Sequence, residues 1–170
     1  IKDDMQDQFQ ALAASGTCQA GCVFVTHSTG DLVLRYALSK LGQWGISSNQ
    51  VKVLAVLDFA GAGGGTELAD IAVSVSQGFG LINAAQQAVI NSVFGLSGDE
   101  TLLGVLFDLR PATARSTATA NNSVPRLRFV GAGSEFFGIS KTFILGTDDA
   151  VVPMHSACGA RSKGSYDSCS

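Results

Sequence analysis

Two short apolar runs with an amphipathic helical stretch between them constrain this chain more than any other feature. Residues 22–26 are β-branched and aromatic, and residues 51–59 (VKVLAVLDF) are apolar nearly throughout. Runs of that length and composition read as strands of a sheet covered on both faces, where polar–apolar alternation is lost. From Gly30 the period changes: Leu32, Val33, Tyr36, Ala37 and Leu41 fall on one helical face. Asp31 suits the first turn of that helix and Lys40 the last, and Gly42 stops it. Strand, helix, strand in this rhythm predicts a right-handed βαβ unit and an α/β fold with a mostly parallel sheet. A third strand is expected at 126–130, a short fourth at 142–145, and a helix over 4–14 ahead of the first.

With 170 residues the chain is long enough for a single domain, 1–170, with a sizeable core. The formal charge of −3 comes with no Lys/Arg cluster, which excludes a nucleic-acid footprint. No apolar run approaches the ~18 residues that a membrane span requires. A long insertion, about 66–123, separates the second and third strands, with helices expected at 67–76, 81–94 and 100–109. From Ile71 to Phe107 only Asp99 and Glu100 are ionised. Helices facing water carry more charge, so these are either buried helices or an oligomer interface, or an apolar lid over a lipid-like substrate.

Four cysteines fall in two local pairs, Cys18 with Cys22 and Cys158 with Cys169. Their even number and short spacing predict two disulfides closing small loops, hence an exported, extracellular protein. A zinc site lacks suitable spacing and nearby histidines; two pairs of buried free thiols are the other alternative. The triplet Asn121-Asn122-Ser123 is a glycosylation sequon that occurs too often by chance to add weight. Gly61-Ala62-Gly63-Gly64-Gly65 follows a strand, as a dinucleotide-binding loop does. Thr66 stands at the third glycine position, however, and no acidic residue ends a strand about twenty residues on.

Between the first strand and its helix lies Thr26-His27-Ser28-Thr29-Gly30. Small-x-Ser-x-Gly at a strand-to-helix switch is the context of a nucleophile elbow, where a sharp turn lifts the serine hydroxyl above the sheet edge. The residues two before and two after the serine must be small because strand and helix pass close there; here they are Thr26 and Gly30. The Thr29 N–H, at the helix N-terminus, then faces a developing oxyanion. Ser28 is thus the candidate nucleophile and Thr29 the candidate backbone oxyanion donor.

The stretch THSTGDLVLRYAL resembles the elbow and following helix of bacterial secreted lipases and esterases of the α/β-hydrolase superfamily. VKVLAVLDFAGAGGGTELAD is similar to the family's next strand and Gly-rich turn, with Ala62 and Gly63 where Pro-His usually stands. VPRLRFVGAG and ILGTDDAVVPMHSACG resemble the strand and acid loop, the latter of the form Gly-x-x-Asp-x-x-Val. The match runs in order over most of the chain, from about Cys22 to Gly159. It implies a partial α/β-hydrolase fold and a triad running Ser, Asp, His along the chain. Asp149 matches the orienting acid, with its neighbour Asp148 as the fallback. No organic cofactor is implied; relatives bind calcium near the acid loop, but no ligand set here stands out, and no metal site is assigned.

The base is the missing member. His27 precedes the nucleophile, so its side chain points away, and it is expected to be a packing or pocket residue. His155 lies six residues past Asp149, with no room for the strand that normally delivers the base, and is expected to serve its own loop. The 21 residues ahead of the elbow strand cannot hold the earlier strands, or the second oxyanion donor, that the resemblance implies. The chain also opens on Ile1. It is therefore expected to be part of a larger hydrolase, with the base supplied from outside these residues or by a partner chain. The resulting expectation is a lipase-like ester hydrolase working through a serine acyl-enzyme on lipid or other esters. The alternative is a non-catalytic structural or interaction subunit that keeps the scaffold. An acyltransferase, which shares the acyl-enzyme, is not separated from a hydrolase by sequence.

Overall fold

The computed structural model describes residues 2–77, 84, 87–88, 91–92, 100–117, 124–133, 144 and 146–159. It is a mixed α/β arrangement around an open sheet. Helix α1 (Lys2–Ser15) leads into strand β1 (Cys22–His27), which turns into α2 (Thr29–Lys40) and then β2 (Val53–Phe59). Helices α3 (Glu67–Ser76), α4 (Glu100–Leu109) and α5 (Pro111–Thr117) lie between β2 and strand β3 (Arg126–Phe129), and the short α6 (Met154–Ala157) comes after it. The three strands lie in the order β1-β2-β3, and both neighbouring pairs are parallel.

The βαβ unit has the physical origin expected of it. Phe24 and Val56 face a cluster formed with Phe9 and Ala13 of α1 and Leu34 and Ala37 of α2. Phe9 stacks on Phe24 with centroids 5.9 Å apart and also meets Trp44. On its other side α2 presents Leu32 to a second cluster with Ala69, Ala72 and Val73 of α3 and Leu106 and Leu109 of α4. The near-absence of charge in the insertion is therefore explained, for α3 and α4, by burial against α2 and against each other. Helix α5 was not foreseen; Pro111 at its first position is the signal that marks it.

One expectation about the sheet is not met. Strands covered on both faces were predicted, yet side chains alternate between a helix-covered face and an open one. Val23, Val25, Leu127 and Phe129 are 51%, 67%, 56% and 43% exposed on the open side, where Phe59 stacks on Phe129 at 4.2 Å. The described helices pack on the other side only, which is the physical reason. The expected fourth strand at 142–145 lies outside the described residues except for Ile144, which is buried and not in a strand. Of the helix expected over 81–94, the described residues 84, 87, 88, 91 and 92 are helical.

The register of β1 on β2 shifts between Cys22 and Val23, which leaves Leu54 as an extra residue. Gly21 makes room for it: at φ 126° a Cβ there would fall 2.6 Å from Leu54 Cδ1. Just ahead, Cys18 and Cys22 form the predicted disulfide, with Cα atoms 5.1 Å apart. Cys158 is also disulfide-bonded, while its predicted partner Cys169 lies outside the described residues.

Candidate functional site

Strand β1 ends at His27, and α2 starts at Thr29, so the chain must reverse direction at Ser28 alone. Ser28 adopts φ 52°, ψ −125°. That conformation lies outside the left-handed helical well and is costly for any residue with a Cβ. Main-chain bonds over-determine it. The Ser28 N–H donates to Phe59 O at 3.1 Å, and its carbonyl accepts from Asp31 N–H at 3.2 Å and Ala62 N–H at 2.8 Å. No side-chain capping bond ties its hydroxyl to α2. As the first residue of α2, Thr29 has an N–H with no intrahelical acceptor, at the positive end of the helix dipole.

Strain recurs along the same edge. The only other non-glycine residues with positive φ among the described residues are Ala60, just after β2, and Ala150, in the loop beyond β3. Carboxyl ends of parallel strands are where α/β folds bind ligands. Backbone strain of this kind clusters at functional sites.

Asp149, in the loop beyond β3, reaches this edge beside Gly131, just past the end of β3. Its Cβ packs against Gly131, where an added Cβ would approach it to 2.6 Å. Its Oδ1 accepts from the N–H groups of Val151 at 3.1 Å and Val152 at 2.7 Å, which fixes the side chain within its own turn. Asp148 is fully buried; its Oδ1 accepts from Ala150 N–H, and its backbone bridges Gly133 and Pro153. The structure thus brings Ser28, after β1, and Asp149, beside the end of β3, to one edge of the sheet with β2 between β1 and β3. Among the described residues no hydrogen bond joins them.

His155 has a different place from the one expected, since its partners are not in its own loop. It is fully buried between α3 and α5, with Nδ1 2.8 Å from Arg115 Nη2 and Nε2 3.0 Å from Glu67 Oε1. Arginine only donates, so Nδ1 accepts and the ring proton sits on Nε2, donating to Glu67. Both ring nitrogens are engaged in holding the insertion to the segment that follows Asp149. Around them Gly64 N–H donates to Ser156 Oγ at 3.1 Å and Thr66 Oγ1 to Val151 O at 2.5 Å. His27 is exposed, on the strand face opposite Thr26.

A buried charge cluster beneath the turn was not foreseen. Thr26, two residues ahead of Ser28, is buried and donates through Oγ1 to Asp58 Oδ1 at 2.8 Å. Asp31 pairs with Arg126, and Arg35 lies 4.0 Å from its other oxygen. Burial pushes the Asp58 carboxyl group up to about 6, and the nearby Asp31 charge adds to the shift. The Thr26 hydrogen bond, Arg126 and Arg128 oppose it. Its signals in the sequence are an acid inside an otherwise apolar strand and two arginines at period two in RLRF. The glycine run after β2 encloses these acids: a Cβ at Gly61 would fall 2.2 Å from Asp58 Oδ2, and one at Gly63 2.1 Å from Asp31 Oδ2. Two carboxylates against the turn repel a pyrophosphate, which sets the dinucleotide reading aside.

Beside Thr29 a cavity of about 70 Å³ opens between α1, α2 and α4, lined by Met5, Leu32, Val33, Tyr36, Val105 and Leu109 among others. Among the described residues no group of three or more His, Cys, Asp or Glu is placed to hold a metal ion. None of the described helices is long and apolar enough to cross a membrane. No protein-family profile matches the chain, and none of the curated proteins is significantly similar to it in sequence.

Proposed function

We propose that the chain carries the nucleophile of an exported, lipase-like carboxylic-ester hydrolase. The observation that carries this reading is Ser28, a non-glycine residue held at φ 52°, ψ −125° between a parallel strand and a helix N-terminus. In the proposed reaction Ser28 Oγ attacks the ester carbonyl while a base takes its proton. The Thr29 N–H stabilises the oxyanion, the alcohol leaves with the proton, and water then hydrolyses the acyl-enzyme. Asp149 orients the base. Neighbouring strands lie about 4.8 Å apart, so the ends of β1 and β3 are separated by about 10 Å, a width that admits an imidazole between Ser28 and Asp149. That imidazole comes from outside these residues, because His155 is committed to Glu67 and Arg115. The apolar cavity beside Thr29 favours acyl chains over small polar esters, and the helices of the insertion serve as its cover. The Cys18–Cys22 disulfide supports export.

A fluorophosphonate probe tests the assignment, since only an activated serine reacts readily. Labelling of the native protein that disappears in Ser28→Ala is the expected result; absence of labelling refutes it. The position of both histidines favours a second reading, a non-catalytic subunit that retains the scaffold, and the same experiment separates the two.

A further inference from the structure

We propose that Asp58 is a positioning residue for Ser28, and that the charge on its carboxyl group sets how firmly the strained turn is held. Its consequence for catalysis rests on the reading of Ser28 as nucleophile; its geometry does not. The carboxyl group supports the turn from both directions. Ahead of Ser28, Thr26 Oγ1 donates to Asp58 Oδ1 at 2.8 Å. Beyond it, Gly61 lies so close that a Cβ would fall 2.2 Å from Oδ2. The next amide, Ala62 N–H, donates to the Ser28 carbonyl at 2.8 Å. Ala60, which starts this second turn, is itself strained at φ 46°.

Asp58 is fully buried, and its Oδ2 has no hydrogen-bond partner among the described residues. An enclosed carboxyl oxygen without a partner is costly when charged. The groups facing it are of both signs: Asp31 and Arg35 from α2, Arg126 and Arg128 from β3, and the uncharged Thr26 from β1. Burial first, then the Asp31 charge, raises the group to about 6, within the range where a serine hydrolase is assayed. The ionised carboxylate is the stronger acceptor for the Thr26 hydroxyl. The turn is therefore held more tightly above pH 6 than below it.

Amide NMR signals across pH 4.5 to 8 read this directly, whatever Ser28 does chemically. In the full chain the Ser28 and Ala62 amides are expected to titrate with a midpoint near 6, and in Asp58→Asn both become flat through that range. The ratio of fluorophosphonate labelling rates, wild type over Asp58→Asn, is expected to rise about fivefold from pH 5 to 7. Taking the ratio cancels the titration of the base, and a purely structural role leaves it constant. Where Asp58→Asn does not fold, Thr26→Val takes its place; it keeps the carboxyl group and cuts its link, so the Ser28 signal alone stops titrating. Unchanged titration of the Ser28 amide in either variant overturns the proposal. Signals that behave as expected in a wild-type protein that never labels leave Asp58 in place and remove the nucleophile reading instead.

Discussion

Replacing Ser28 by glycine rather than alanine isolates the strain of the turn from the chemistry of its hydroxyl. Both variants lose Oγ, but only glycine adopts φ 52°, ψ −125° without a Cβ clash. A non-glycine residue in so sparsely populated a region costs of order 1–3 kcal/mol. Glycine gives back about 0.5–1 kcal/mol through the greater freedom of its unfolded chain. Ser28→Gly is therefore expected to be more stable than Ser28→Ala by about 1 kcal/mol. In a chain of this length that corresponds to roughly 2–4 °C in Tm. Thermal and urea unfolding followed by circular dichroism at one pH provide the comparison, with equal denaturant slopes as the check that both variants unfold alike. A glycine variant no more stable than the alanine variant would mean that the turn is relaxed, and the structural argument for a nucleophile elbow would go with it.

Stability should also report on Asp58. Its carboxyl group rises from 3.8 to about 6 on folding, so its contribution is fully present below pH 3.8 and lost as pH climbs through 6. Holding it ionised at pH 7 costs of order 2–3 kcal/mol. Asp58→Asn should therefore gain on wild type by that amount between pH 4 and pH 7 in urea titrations, and parallel stability curves would count against the assignment. His155→Phe removes the ring whose two nitrogens join Arg115 to Glu67. It should cost about 3 kcal/mol in unfolding experiments, yet retain Ser28 labelling if it still folds; loss of labelling in the folded variant would make His155 the base. Reducing the Cys18–Cys22 disulfide, or replacing both residues by serine, opens a loop of sequence separation 4. The expected loss is about 2 kcal/mol by the same unfolding assay.

The βαβ unit was legible because its signals are local. An apolar run, a change of period at Gly30 and a terminating Gly42 place β1, α2 and β2 within a residue or two, and α3 and α4 fall where the insertion pattern puts them. The sharp turn at Ser28 was legible for the same reason, since its context is a switch between two periodicities. The support beneath it was not. Thr26 meets Asp58 only because β1 and β2 pair in one particular register. Arg126 reaches Asp31 only because β3 joins the same sheet from beyond the insertion. Short-range patterns carry no information about register between distant segments. His155 illustrates the same limit: a histidine read against its own loop finds its partners on α3 and α5.

The sheet's connectivity has a consequence for how this chain tolerates change. Leu57 pairs with Val25 on one side and with Leu127 on the other, so the second loop closed by pairing is about twice as long as the first. The entropy of closure grows only logarithmically, and doubling a loop costs about 0.6 kcal/mol. The whole 66–123 excursion therefore weighs less on the sheet than a single poor side-chain packing would. Insertions and deletions in that excursion are therefore cheap in closure entropy, provided that α3 and α4 keep the residues they bury with Leu32 and that Glu67 and Arg115 keep His155 between them.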